Sequence, residues 1–76
     1  MDRRRATVGD RIRHLRTRRV LTLKELAAQA GIPRYQTLMD IETGRHQPRP
    51  STLRKIAAAL GVEPADLLPA NGEPAA

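Results

Sequence analysis

Residues 21–44 read LTLKELAAQAGIPRYQTLMDIETG and carry the clearest structural signals of the chain. Thr22 is followed by Glu25, the spacing of a capping box, which predicts that a helix begins at Thr22. Apolar side chains at helical spacing then define one buried face: Leu23, Leu26, Ala27 and Ala30. Gly31 comes directly after them, where helices often end in the left-handed conformation. These residues predict a short helix that stops at a tight turn.

A second short helix is predicted after that turn, over residues 34–43. Pro33 suits the opening of a helix, because the first turn leaves backbone N–H groups without partners anyway. Leu38 and Ile41 give this helix a narrow apolar face, and Gly44 ends it. Five of its other side chains are polar or amphipathic, which favours an outward-facing surface: Arg34, Tyr35, Gln36, Thr37 and Asp40. Two short helices of this kind have the layout of a helix-turn-helix, whose second helix enters the major groove of DNA.

The flanking segments predict further helices on both sides of this pair. Upstream, Val8, Ile12 and Leu15 share one face of a first helix expected over residues 7–19. Downstream, Ser51 is a suitable N-cap for a fourth helix, which Gly61 ends. The apolar stripe of that fourth helix consists of Leu53, Ile56, Ala57 and Leu60.

The segment after Gly61 predicts a short fifth helix that starts at Glu63-Pro64 and holds Leu67 and Leu68, as core or as a dimer surface. The expected fold class is therefore all-α, a compact five-helix bundle over residues 7–68. We expect residues 1–6 to form a mobile basic arm and residues 69–76 a disordered tail, because neither continues the helical pattern. The arm could lie along DNA phosphates or in a minor groove, or it could be a solvated tail.

The composition favours a polyanionic partner. The 76 residues contain 14 Lys and Arg against 8 Asp and Glu, a formal net charge of +6. A single aromatic residue argues against RNA-binding sheets and barrels, which stack bases on aromatic side chains. The absence of cysteine excludes disulfides and thiolate zinc sites.

Other function classes are also disfavoured. No apolar run is long enough to span a bilayer and no secretory signal follows the basic N-terminus, so we expect a cytoplasmic protein without membrane contact. His14 and His46 lack further ligands at metal spacing, and no nucleophile and base are arranged for catalysis. We therefore expect no metal, no cofactor and no enzymatic activity.

Taken together, the motifs resemble the lambda-repressor/Cro-type helix-turn-helix domain, or XRE family, over residues 7–68. The matching fragments are Asp10–Arg16, Leu21–Ala27, Ala30–Ile32, Ile41–Arg45, Pro48, Thr52–Val62 and Asp66–Leu68. Between Gly31 and Glu42 this chain is one residue longer than the usual pattern. Pro33 stands where the family often has a serine or threonine cap, so either the turn or the first turn of the third helix is expected to differ.

The resemblance implies base contacts from the third helix and phosphate contacts beside it. Gln36 could bond adenine, and Arg34 could bond guanine or a phosphate. Asp40 could accept from cytosine or instead repel phosphate. Tyr35 could contact a thymine methyl with its ring and a phosphate with its hydroxyl, and Thr37 could reach a base or the backbone. The implied phosphate ligands are Thr22, Arg45 and Arg49, the last of which is equally well a solvated surface residue.

The resemblance also implies a structural ion pair between Arg16 and Glu42, with two separate surface charges as the alternative. The resulting hypothesis is a sequence-specific, DNA-binding transcriptional regulator, a repressor that binds double-stranded DNA as a homodimer. The alternative hypothesis is a protein-interaction module, antitoxin-like or partner-docking, that keeps the same fold.

Overall fold

The structure, a computed structural model, describes residues 7–68, whose regular secondary structure is helical with no strand among them. The elements in chain order are α1 (Val8–Arg18), α2 (Leu23–Ala30), α3 (Tyr35–Glu42), α4 (Pro50–Leu60) and a single 3₁₀ turn at Pro64–Leu67. The all-α class is confirmed. The expected fifth helix is wrong, because that segment forms only this four-residue turn. The predicted basic arm and tail lie outside the described residues.

Capping boxes start the first two helices. At α2, the Glu25 N–H donates to Thr22 Oγ1 at 3.0 Å and the Thr22 N–H donates to Glu25 Oε1 at 2.8 Å. The predicted start at Thr22 is thereby confirmed, since two otherwise unpaired donors are satisfied. Thr7 and Asp10 form the same arrangement at α1. The predicted first helix is one residue too long at each end, because Thr7 and Arg19 are caps.

The starts of α3 and α4 differ from the predictions. Pro33 does not open α3: it lies in the turn, and Arg34 is the N-cap, in extended conformation and without a side-chain capping bond. Ser51 is not the cap of α4 but lies inside it, because Arg49 is the N-cap and Pro50 occupies the first turn. A residue before proline is driven to extended backbone, which ends the loop at Arg49.

The turn between α2 and α3 depends on a left-handed residue. Gly31 has φ 74°, and the following Ile32 N–H donates to Ala27 O at 2.8 Å. This closes the last turn of α2 and brings Ile32 into the core. The chain then passes through Pro33 and Arg34 before α3 begins at Tyr35.

The core joins the predicted apolar faces. α2 packs against α3 and α4, while α1 packs against α3. The largest fully buried side chains are Ile12, Leu26, Leu38, Ile41, Ile56, Leu60 and Leu67. Leu67 therefore belongs to the core, whereas Leu68 is exposed. No helix within residues 7–68 combines the length and apolarity that crossing a lipid bilayer requires.

α1 and α3 meet backbone to backbone at Gly9. This residue is buried, and a Cβ atom placed on it would collide with the carbonyl oxygen of Ile41 and lie 2.8 Å from that of Glu42. Only a residue without a side chain permits this approach. The position of α3 against the body of the domain is thus set partly by Gly9.

Candidate nucleic-acid interface

The outer face of α3 is the centre of the candidate interface. Leu38 and Ile41 are fully buried and fix which side of α3 faces the core. At about 100° of rotation per residue, the opposite side carries Gln36, Met39, Asp40 and the C-cap Thr43. Gln36 and Thr43 are exposed and Asp40 is half-buried. This face presents mixed donors and acceptors to solvent.

The five predicted base-contact residues occupy different parts of this surface. Gln36 and Asp40 lie on the outer face itself. Arg34 is the exposed N-cap, directly before the first helical residue, Tyr35. Tyr35 and Thr37 are half-buried and lie at the two edges of the face. The structure thus places the five on or beside the outer face of α3, from the N-cap Arg34 to Asp40 in the second half of the helix.

Tyr35 is held between α2 and α3. It packs against the core cluster, and Lys24 Nζ lies 5.4 Å from the centroid of its ring. This distance is within the range of a cation–π interaction. The two residues also line a shallow open cleft of about 170 Å³ with Ala27, Ala28, Ile32 and Pro33. Lys24 therefore helps to fix the orientation of the only aromatic ring in the chain.

The predicted phosphate ligand Thr22 lies at the N-terminus of α2. Its hydroxyl oxygen accepts the Glu25 N–H, so the hydroxyl proton is still available to a phosphate. The aligned N–H groups of a helix start favour an anion there. The Glu25 carboxylate that accepts the Thr22 N–H opposes this in part, because it brings negative charge to the same end.

The basic loop after α3, residues 45–49, is tied to the end of that helix. The carbonyl oxygen of Asp40 accepts the N–H groups of Arg45 at 2.8 Å and His46 at 3.2 Å. The bond to Arg45 closes around Gly44, which has φ 85°. Arg45 and Arg49 are both exposed. The backbone of Arg45 is thus tied to the end of α3, whereas Arg49 is the N-cap of the next helix, α4. Within residues 7–68, neither arginine side chain makes a hydrogen bond or ion pair.

Arg16 and Glu42 form a bidentate pair between α1 and the end of α3. Arg16 Nε donates to Glu42 Oε2 at 2.7 Å and Nη2 donates to Oε1 at 3.0 Å, while Nη1 donates to the Leu21 carbonyl at 2.8 Å. The side chains are only 14% and 6% exposed. The hydrogen bond to Glu42 raises the pKa of Arg16, against the lowering effect of burial. This pair anchors α3 to α1 and to the turn before α2.

Three residues that shape the position or the surface of α3 were not predicted from the sequence. Gly9 sets the α1–α3 approach, and an isolated glycine within a helical pattern was the available signal. Lys24 supports Tyr35. Met39 shares the outer face of α3, which counting helical rotation from Gln36 would have shown. Among residues 7–68, no group of three or more His, Cys, Asp or Glu is arranged to hold a metal ion.

The chain is similar to known helix-turn-helix proteins. Residues 7–70 match the model of a family described as a helix-turn-helix domain. Over 57 residues the chain is 46% identical to the immunity repressor protein of Bacillus phage phi105, covering 75% of this chain and 39% of that protein. Over 69 residues it is 37% identical to an HTH-type transcriptional regulator of Sinorhizobium fredii, covering 91% of this chain and 88% of that regulator.

Solved structures show the same arrangement of helices. The restriction-modification controller protein C.AhdI from Aeromonas hydrophila superposes with a TM-score of 0.78 at 30% identity, covering 83% of this chain and 94% of that one. The chain spans less than half the length of the first three curated relatives, 39%, 46% and 45% respectively.

Proposed function

We infer that this chain, which belongs to the helix-turn-helix domain family, binds double-stranded DNA sequence-specifically and regulates transcription. One observation carries the inference: α3 presents an exposed and mainly polar outer face, and the Asp40 carbonyl holds the start of the basic loop at the C-terminal end of this helix. A helix with such a face fits the major groove, where base edges offer distinguishable donors and acceptors. The excess of positive charge supports a polyanionic ligand.

The proposed mechanism is occupancy of an operator, which makes the regulator a repressor. The name of the phage relative, an immunity repressor protein, supports this sign of regulation. Operator occupancy requires only binding, so the proposal assigns no catalytic step and no cofactor. The proposed ligand is DNA, and the relatives come from bacteria and a bacterial phage. We therefore propose that the protein is cytoplasmic.

Base reading is assigned to the outer face of α3 and to the residues at its edges. Gln36 is the central reader, since its amide can donate to and accept from adenine N6 and N7 together. Asp40 accepts from cytosine N4. Arg34 and Thr37 reach a base or the backbone from the edges of α3, and Tyr35 offers its ring to a thymine methyl group.

Phosphate contacts fix the register of α3 in the groove. Thr22 donates from the start of α2, and Arg45 and Arg49 contribute charge from the loop that follows α3. Such contacts position the domain without reading sequence. We also propose that the chain binds as a homodimer on half-sites about 34 Å apart, the separation of one turn of DNA.

Selection from a random pool of duplex DNA tests this function. We expect the chain to enrich one sequence, and fluorescence anisotropy to show that binding weakens steeply with salt. Gln36→Ala should relax the preference at a single position, because the residue is exposed and its loss leaves the core intact. A sedimentation measurement on the complex reports whether two copies bind.

An outcome without DNA retention near physiological salt would contradict the proposal. It would favour the alternative, a protein-interaction module on the same fold.

A further inference from the structure

The outer face of α3 carries one large apolar side chain among polar neighbours. Met39 is 40% exposed, while Gln36, Asp40 and Thr43 surround it on the same side of the helix. The core face of α3 is already filled by Leu38 and Ile41, which are fully buried. Met39 is therefore not required to complete the hydrophobic core.

Position, rather than exposure alone, distinguishes Met39. Single exposed apolar residues are common on protein surfaces and need no explanation. Among residues 7–68 the other large exposed apolar side chains are Val20 and Leu68, which follow α1 and the 3₁₀ turn. Met39 is the one that lies on the helix face proposed to enter the major groove.

The major groove offers one apolar group to such a side chain, the C5 methyl of a pyrimidine. A methionine thioether is flexible and polarisable, so it adapts to a small apolar partner. Gln36 and Met39 are three residues apart and adjacent on the helix surface. A glutamine that reads adenine and a methionine that covers a nearby methyl group would act on neighbouring base pairs.

We propose that Met39 is a specificity-determining residue that contacts a pyrimidine C5 methyl group in the major groove, which in unmodified DNA belongs to thymine. The proposal rests on the proposed DNA-binding function. It assigns part of the sequence preference to an apolar contact outside the residues predicted to bind bases.

Replacing thymine by deoxyuridine removes the methyl group and nothing else. We would take the duplex enriched from a random pool, substitute each thymine in turn, and measure Kd with the unaltered chain and with Met39→Ala. At one thymine per half-site the unaltered chain should lose about fourfold in affinity, the effect of one buried methyl group. Met39→Ala should bind the parent duplex more weakly and lose no further affinity at that uracil.

A second arm separates the methyl group from the rest of the thymine base. At the same position, 5-methylcytosine should be bound more tightly than cytosine by the unaltered chain and equally by Met39→Ala. Leu68→Ala is the matched control, because it truncates a similarly exposed apolar residue away from α3. It should retain the uracil sensitivity of the unaltered chain.

Equal uracil losses in the unaltered chain and in Met39→Ala, at every thymine, would overturn the proposal while leaving DNA binding intact. A selected site without any uracil-sensitive thymine would do the same. Failure to enrich any DNA sequence would instead overturn the proposed function, and the Met39 contact with it.

Discussion

At the scale of single residues, the Arg16–Glu42 pair connects α3 directly to α1. Glu42→Ala would leave a guanidinium that is 14% exposed without its carboxylate. An unpaired buried charge of this kind costs about 3–5 kcal/mol, a large fraction of the stability of a domain this small. Urea denaturation should show the loss as a lower midpoint with an unchanged slope.

A double variant tests whether the cost comes from the unpaired charge. Arg16→Met combined with Glu42→Leu removes both charges and should be more stable than either single variant. If the free energy of unfolding of Glu42→Ala lies within about 0.5 kcal/mol of that of the parent, the pair behaves as two surface charges.

Val20 has a backbone conformation that a valine rarely adopts. It has φ 57°, a left-handed conformation that a β-branched side chain adopts at a cost of about 1–2 kcal/mol, and it is 85% exposed. Val20→Gly should therefore raise the free energy of unfolding by about 0.5–1 kcal/mol, because it removes the strain and loses no burial. Thermal melts followed by circular dichroism measure the change.

Val20→Ala is the control, because it keeps the Cβ atom and should gain less than Val20→Gly. A lower melting temperature for Val20→Gly than for the parent would contradict the strain argument.

The turn at Val20 also positions a hydrogen-bond acceptor. It leads directly to Leu21, whose carbonyl oxygen accepts a hydrogen bond from Arg16. The resemblance pointed to the Arg16–Glu42 pair, but this third bond depends on a backbone turn that no motif marks.

At the scale of the elements, sequence predicted helix starts well where side chains supply the cap. Thr22 with Glu25 predicted the start of α2, since the capping bonds are local. Arg34 and Arg49 were missed as caps because neither makes a side-chain capping bond. The extended conformation of Arg49 follows from Pro50, because the residue before a proline is disfavoured in helical backbone. Arg34 follows Pro33 instead, and its extended conformation belongs to the turn between α2 and α3.

The crossing of α1 and α3 predicts that Gly9→Ala lowers stability, the opposite of the usual effect of Gly→Ala in a helix. In an open helix, Gly→Ala stabilises by up to about 1 kcal/mol. Gly9→Ala should instead destabilise by about 1–3 kcal/mol, because the new Cβ collides with the Ile41 carbonyl and α3 must shift. Chemical denaturation reports the stability, and Kd for the selected duplex reports the displacement of α3 in the folded fraction.

Gly44→Ala is a suitable comparison for this crossing. It also replaces a glycine near α3, but a Cβ there meets nothing within 4 Å, and the cost comes only from φ 85°. If Gly9→Ala were more stable than the parent, this would contradict the close backbone approach of α1 to α3 at Gly9.

At the scale of the whole molecule, affinity for DNA should divide between charge and base reading. The net charge of +6 acts over the whole surface and is screened by salt, whereas the α3 face acts only at base edges. This division explains why the charge excess alone predicted the class of ligand but not the residues that bind it. The candidate residues came instead from the family resemblance, and the structure shows where they lie on α3 and on the loop that follows it.

Arg45→Gln and Gln36→Ala separate the two contributions. If Arg45 neutralises one phosphate, its loss should weaken binding to all sequences alike and reduce the slope of log K against log salt by about 0.9. Gln36→Ala should leave the slope unchanged and alter the preferred sequence, because it removes a base contact and no charge. Anisotropy titrations of both variants between about 50 and 200 mM salt measure the slopes. An unchanged slope for Arg45→Gln would remove this residue from the phosphate contacts, and an altered slope for Gln36→Ala would show that α3 does not enter the groove as proposed.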